Sequence, residues 1–168
     1  PFSHATPAGF ASHNVDRFNY LDIAKEIAEV VKPDVVIGGG HPAWSNTTFT
    51  DAATLDGLRT STEYIFTERR ANVDGSVAIG AAAAEAVTKH KKLFGVFGGT
   101  DGSFDHQVPS HAPGSPSVAR GSLENPTLAA AAEAALTVLG ADPDGFFVMI
   151  EQGDIDWANH ANNYRDMI

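Results

Sequence analysis

Stretches with helical periodicity alternate along this chain with short apolar runs, and this alternation restricts the fold more than any other feature. Three such pairs occur in order: 20–31 with 34–37, 77–90 with 93–97, and 127–139 with 145–150. A further short run, 63–67, has the composition of a strand. Repeated helix–strand pairs are typical of parallel sheets covered by helices. The sequence therefore predicts the α/β class, with a mostly parallel central sheet and helices on both faces.

The last apolar run ends in a group of acidic residues. Five apolar residues, 146–150, follow the turn residues 142–145 and predict a buried strand. Glu151 comes directly after this run, and Gly153 permits a sharp turn into a helix beginning near Asp154. Ligands of open α/β sheets bind at the carboxyl ends of the strands, so this is where a site is expected.

Asp156 and His160 stand four residues apart in that expected helix. Side chains at this spacing share one helix face, and a carboxylate with an imidazole can form half of a zinc site. Glu151 could serve a second, harder ion that prefers oxygen ligands. The alternative is structural: an exposed Asp–His pair on a helix that Asp154 caps.

The amino-terminal stretch predicts a short helix. Thr6 suits its N-cap and Pro7 its first turn. We interpret His13 as structural. His41, which follows the triple glycine 38–40, is a weak ligand candidate that we discount. That triple glycine lacks the Lys-Ser/Thr of a phosphate-binding loop and predicts only a tight turn.

Charge and length limit the classes of function. The chain has 168 residues, a net charge of −10 and no cysteine, which fits one folded domain and argues against nucleic acid and anionic membranes as partners. Bound metals would have to override this charge at any phosphate site. Loop-rich insertions are expected near 41–76 and 98–125. Because the chain starts without Met and stops inside an expected helix, we expect a partial domain, incomplete at both ends.

Two motifs resemble those of bacterial-type alkaline phosphatases. The segment Ile150-Glu-Gln-Gly-Asp-Ile-Asp156-Trp-Ala-Asn-His160 resembles the metal-binding signature Glu-Gly-x-x-Ile-Asp-x-x-x-His. The segment His4-Ala-Thr-Pro-Ala, with Arg17 further on, resembles the stretch after the nucleophile helix. The resemblance covers nearly the whole chain, as the central part of such a protein.

The resemblance implies a role for each matching residue. Asp156 and His160 would bind zinc, Thr6 and Glu151 would bind magnesium, and His4 would lie beside the magnesium. Arg17 would clamp the phosphate, since a planar guanidinium offers two parallel donors. Trp157 stands at a position where members of the family differ, often carrying Lys or His, and we expect it to border the phosphate pocket.

The implied function is hydrolysis of phosphate monoesters through a phosphoserine intermediate, with two Zn²⁺ and one Mg²⁺ in a parent protein. The nucleophilic serine would lie outside this chain, so we expect the fragment alone to be inactive. The resemblance also implies a homodimer, periplasmic or secreted, that acts on small phosphomonoesters and binds inorganic phosphate. Alternatives are a related phosphodiesterase or sulfatase, or a non-catalytic fragment that binds metal weakly. The missing nucleophile would discriminate among the enzymes, because sulfatases use a modified Cys or Ser and diesterases often a Thr.

Overall fold

The computed structural model describes residues 1–100, 102–104, 122–160, 162 and 164, apart from the side chains of Asp154 and Trp157. The helices are α1 Ala5–Ala11, α2 Tyr20–Lys25, α3 Ala52–Arg59, α4 Gly75–Lys89, α5 Leu128–Leu139 and α6 Gly153–His160. A π-helical segment, Glu26–Val31, continues α2. The strands are β1 Val35–Gly38, β2 Tyr64–Glu68 and β3 Lys92–Val96. Among the helices described, none combines the length and the apolar character that crossing a membrane requires.

The three strands form one parallel sheet in the order β1-β3-β2. Phe94 at the centre of β3 pairs with Val36 of β1 and with Phe66 of β2. A parallel pair needs a crossover connection, and helices provide it along this chain. The predicted parallel α/β architecture is confirmed.

Alternate side chains of the central strand β3 enter two separate cores. Phe94 and Val96 lie in a cluster with residues of α2 and α3, whereas Leu93 and Phe97, just beyond the strand, lie in a cluster with residues of α4 and α5. All four are fully buried, and burial of such a side chain contributes about 1.5–3 kcal/mol. The sheet is thus covered by helices on both faces, as the sequence predicts.

Helix α3 lies within the stretch 41–76, where the sequence suggested mostly loop. The Asp51 carboxylate accepts a hydrogen bond from the Thr54 N–H at 2.8 Å and caps the helix. Leu55 and Leu58, three residues apart, are buried against the sheet cluster. The cap and this spacing were the available signals for the helix.

The predicted helix 20–31 is not α-helical throughout. Its second half is π-helical, and Lys32 N–H donates to Ile27 O at 3.0 Å, five residues back. Lys32 itself is left-handed, with φ 50°, and Pro33 prevents continuation. The wider turn leaves Val30 73% exposed, while Ile27 remains buried.

The prediction of a buried strand over 145–150 is wrong. This stretch has no strand structure and pairs with none of the described strands. Phe147 is 79% exposed and Phe146 and Ile150 are about half exposed. An apolar run indicates a tendency to be buried, but a strand also needs a neighbour for its backbone hydrogen bonds.

The start of α1 also differs from the prediction. His4, rather than Thr6, occupies the N-cap position, and its side chain makes no capping hydrogen bond. Thr6 is the second residue of the helix and is exposed. Pro7 lies in the first turn as predicted, where its missing N–H costs no helical hydrogen bond.

Candidate functional site

Helix α6 presents the predicted zinc ligands on one face. His160 Nε2 lies 3.5 Å from Asp156 Oδ2, and both side chains are exposed, at 75% and 76%. The helix begins at Gly153, one residue before the predicted start. The local geometry of this pair, as the sequence predicted it, is therefore present. The side chain of Trp157 lies outside the described residues.

Charged residues of both motifs act on the half-buried His4. Burial lowers the pKa of His4, and the positive charge of Arg17 lowers it further. The carboxylate of Glu151 opposes this shift by raising the pKa. Arg17 and Glu151 thus both act on one imidazole, whose pKa lies below its ordinary 6.5.

The other predicted residues, Thr6, Arg17 and Glu151, are exposed. Arg17 places its guanidinium carbon 5.4 Å from the centre of the Phe18 ring. Thr6 and Glu151 both face solvent. Within the described part of the chain, no three His, Asp or Glu side chains converge closely enough to hold a metal ion. A magnesium site shared by Thr6 and Glu151 stays a prediction.

A partly buried ionic network that the sequence did not indicate lies beyond the carboxyl ends of the strands. Glu68, the last residue of β2, accepts hydrogen bonds from Arg59 Nε at 3.2 Å and Nη2 at 2.7 Å. His41 Nε2 lies 3.1 Å from the same carboxylate. Because His41 Nδ1 accepts the Ala43 N–H at 3.2 Å, Nε2 carries the proton and donates it to Glu68.

A second cluster, centred on Arg69, lies beyond the end of β3. Its guanidinium donates to Gly98 O at 2.7 Å and to Glu124 at 2.9 Å, and it lies 4.1 Å from the centre of the Trp44 ring. The hydrogen bonds use the edge of the guanidinium, and the Trp44 ring contacts its face. These contacts connect the loops after the strands and leave Arg69 engaged with protein groups, so this cluster is structural.

The buried pair His41–Glu68 should make stability fall in acid. Burial lowers the pKa of His41 below its ordinary 6.5. Burial raises the pKa of Glu68, but hydrogen bonds from Arg59 and His41 outweigh this and hold it below its ordinary 4.5. A depressed folded-state pKa gives stability that is complete above the unfolded-state pKa and lost as the pH falls.

We therefore expect the free energy of unfolding to decrease as the pH is lowered below about 6.5, first through His41. His41→Gln keeps a donor for Glu68 without a titrating ring, so its unfolding free energy should depend less on pH between 7 and 5. Urea unfolding at several pH values measures this. His90→Gln, at an exposed histidine, is the control. An unchanged pH slope in His41→Gln would contradict the assignment.

Comparison with known proteins connects these residues to a family. A family model described as alkaline phosphatase matches residues 2–168. The chain is 28% identical over 166 residues to alkaline phosphatase 3 of Bacillus subtilis (strain 168), a match covering 96% of this chain and 30% of that protein. It is 27% identical over 191 aligned residues to the tissue-nonspecific isozyme of alkaline phosphatase from Rattus norvegicus, covering 99% of this chain and 34% of that protein. The chain spans about a third of the length of these relatives.

Proposed function

Because this chain belongs to the alkaline phosphatase family, we propose that its parent protein hydrolyses phosphate monoesters through a phosphoserine intermediate. The serine would come from outside this sequence. Phosphoryl transfer is catalysed mainly by positioning and by stabilising negative charge. The residues of this chain would contribute to both tasks.

The donor set on α6 fits zinc. Asp156 and His160 offer a carboxylate oxygen and an imidazole nitrogen on one helix face, both accessible to an ion from solvent. Zinc held there would stabilise charge on the phosphoryl and leaving oxygens. The protein's part is to fix the two donors, which the four-residue spacing in a helix achieves.

The amino-terminal motif would supply the magnesium site and the phosphate clamp. Thr6 and Glu151 offer the oxygen donors that magnesium prefers. His4 would lie beside that cation. Arg17 would bind two phosphate oxygens through parallel N–H groups. Trp157 would border the same pocket.

One structural observation supports this arrangement above the others. The Phe10 ring of α1 stacks on the Phe147 ring at 5.7 Å, so the helix that carries Thr6 lies against the segment that leads to Glu151. The oxygen donors of one magnesium site must lie close together. We further propose, from family membership, a periplasmic or secreted homodimer that acts on small phosphomonoesters and is inhibited by inorganic phosphate.

The proposal is tested by removing metal from the parent protein with a chelator and restoring zinc and magnesium together. An aryl phosphate, a bis-aryl phosphate and an aryl sulfate are then compared as substrates. We expect chelation to abolish hydrolysis of the monoester and the added metals to restore it, with the monoester strongly preferred. A preference for the diester or the sulfate, or full activity after metal removal, would contradict the proposal.

A further inference from the structure

The imidazole of His4 is held by two aromatic rings. Its centre lies 5.4 Å from the Tyr20 ring and 5.8 Å from the Phe49 ring, both in edge-to-face arrangements. Tyr20 and Phe49 are themselves 4.9 Å apart. Edge-to-face contacts at these distances are favourable and directional. The rings of His4, Tyr20 and Phe49 are therefore all in mutual contact, and we call them the aromatic triad.

Phe49 is the fixed member of the triad. It is only 6% exposed, and its backbone oxygen accepts a hydrogen bond from the Ser3 hydroxyl at 2.6 Å. A Cβ at Gly40 would lie 2.9 Å from Phe49 Cβ, and one at Gly102 would lie 2.5 Å from its ring. Two glycines enclose Phe49, and Ser3, the residue before His4, is hydrogen-bonded to it. The position of Phe49 therefore determines the position of the imidazole.

We propose that Phe49, supported by Tyr20, is a positioning residue that fixes His4 and the first turn of α1 beside the magnesium site. This inference rests on the proposed function. As the N-cap, His4 makes no capping hydrogen bond through its side chain, so the rings supply the orientation that a cap bond would otherwise give. Thr6 follows two residues later in the same turn, and a fixed His4 therefore also restricts the backbone from which the predicted ligand projects.

The test measures Mg²⁺ binding directly, by isothermal titration calorimetry on the metal-depleted parent protein. Phe49→Leu and Tyr20→Leu remove an aromatic edge and keep an apolar side chain. We expect each to raise the Mg²⁺ dissociation constant by about tenfold, the lower end of the effect of residues that orient metal ligands. Tyr20→Phe keeps the ring, and its Mg²⁺ dissociation constant should stay within about twofold of the wild-type value.

Phe97→Leu is the matched control, because Phe97 is also buried but lies in the cluster on the opposite face of the sheet. It should lower stability and leave Mg²⁺ binding unchanged. Equal weakening by Phe49→Leu and Phe97→Leu would overturn the proposal, since it would reflect general loosening. Wild-type affinity in Phe49→Leu would overturn it directly.

Two further outcomes are decided by the same set of variants. If Phe49→Leu does not fold, Tyr20→Leu carries the test, because Tyr20 is only partly buried; wild-type affinity there would overturn the proposal. If the wild-type protein takes up no Mg²⁺ at all, the proposed function fails together with this inference. Uptake by the wild type with no effect of either Leu variant would overturn only the role of the triad.

Discussion

Replacing Asp156 with alanine in the parent protein should lower kcat/KM for an aryl phosphate by about a thousandfold or more. The carboxylate is one of the two proposed zinc donors on α6, and catalytic zinc sites normally have three protein ligands. A metal ion contributes several kcal/mol to the stabilisation of charge in the transition state. Loss of the carboxylate would weaken zinc binding, and this contribution would be lost with the zinc. His160→Ala should have an effect of the same size, and the double variant should be little worse, because the two residues act as a unit.

Zinc content provides the independent measurement. Asp156→Ala should contain about one zinc ion fewer per chain than the wild type, while the urea midpoint of the metal-free protein stays unchanged, since the side chain is 76% exposed. Asp144→Ala removes another exposed carboxylate from the turn after α5 and should retain full activity. Full zinc content and near-normal turnover in Asp156→Ala would show that this aspartate is not a ligand.

Gly39→Ala should destabilise the protein by roughly 3 kcal/mol. A Cβ built at Gly39 would lie 1.8 Å from the backbone oxygen of Gly102. Backbone cannot rotate away as a side chain can. The turn carrying Gly102 is also held by hydrogen bonds within 99–103. Relief therefore requires moving this turn away from the end of β1, with loss of packing around Phe49.

Urea unfolding of the parent protein measures this effect as a lower midpoint. Gly57→Ala is the matched control, because Gly57 lies in α3 and a Cβ there would meet nothing within 4 Å. That substitution should stabilise the helix by about 0.5–1 kcal/mol, since glycine is a poor helix former. An unchanged midpoint for Gly39→Ala would mean that the turn after β3 is not packed against the triple glycine as described.

The sequence predicted the elements whose signals are local. Strands β1, β2 and β3 begin and end within one residue of the predicted positions 34–37, 63–67 and 93–97. Helix α5 begins at Leu128, one residue after the predicted start, with Thr127 as its N-cap. Periodicity, caps and turn residues act within a few positions along the chain, so they can be recognised without knowing the fold.

In the candidate site, too, local contacts were predictable from the sequence and contacts between distant residues were not. The Asp156–His160 pair was predictable, because a four-residue spacing in a helix fixes its geometry. The network of His41, Glu68 and Arg59 was not, because these residues are distant in the sequence and meet only beyond the strand ends. Phe49 carried no recognisable signal either, since its contact with His4 depends on how a loop folds against α1.

By itself, the sequence determined the α/β class, the positions of β1, β2 and β3, and the face of α6 that carries Asp156 and His160. Only the tertiary structure decided the strand order, the half-buried setting of His4 and the exposure of 146–150. Local signals report what a segment can do with its own neighbours in the chain. Strand pairing depends on which distant backbone supplies the hydrogen bonds. Burial and pKa depend on which distant groups exclude water from a side chain. Both are decided only when the sheet and helices have packed.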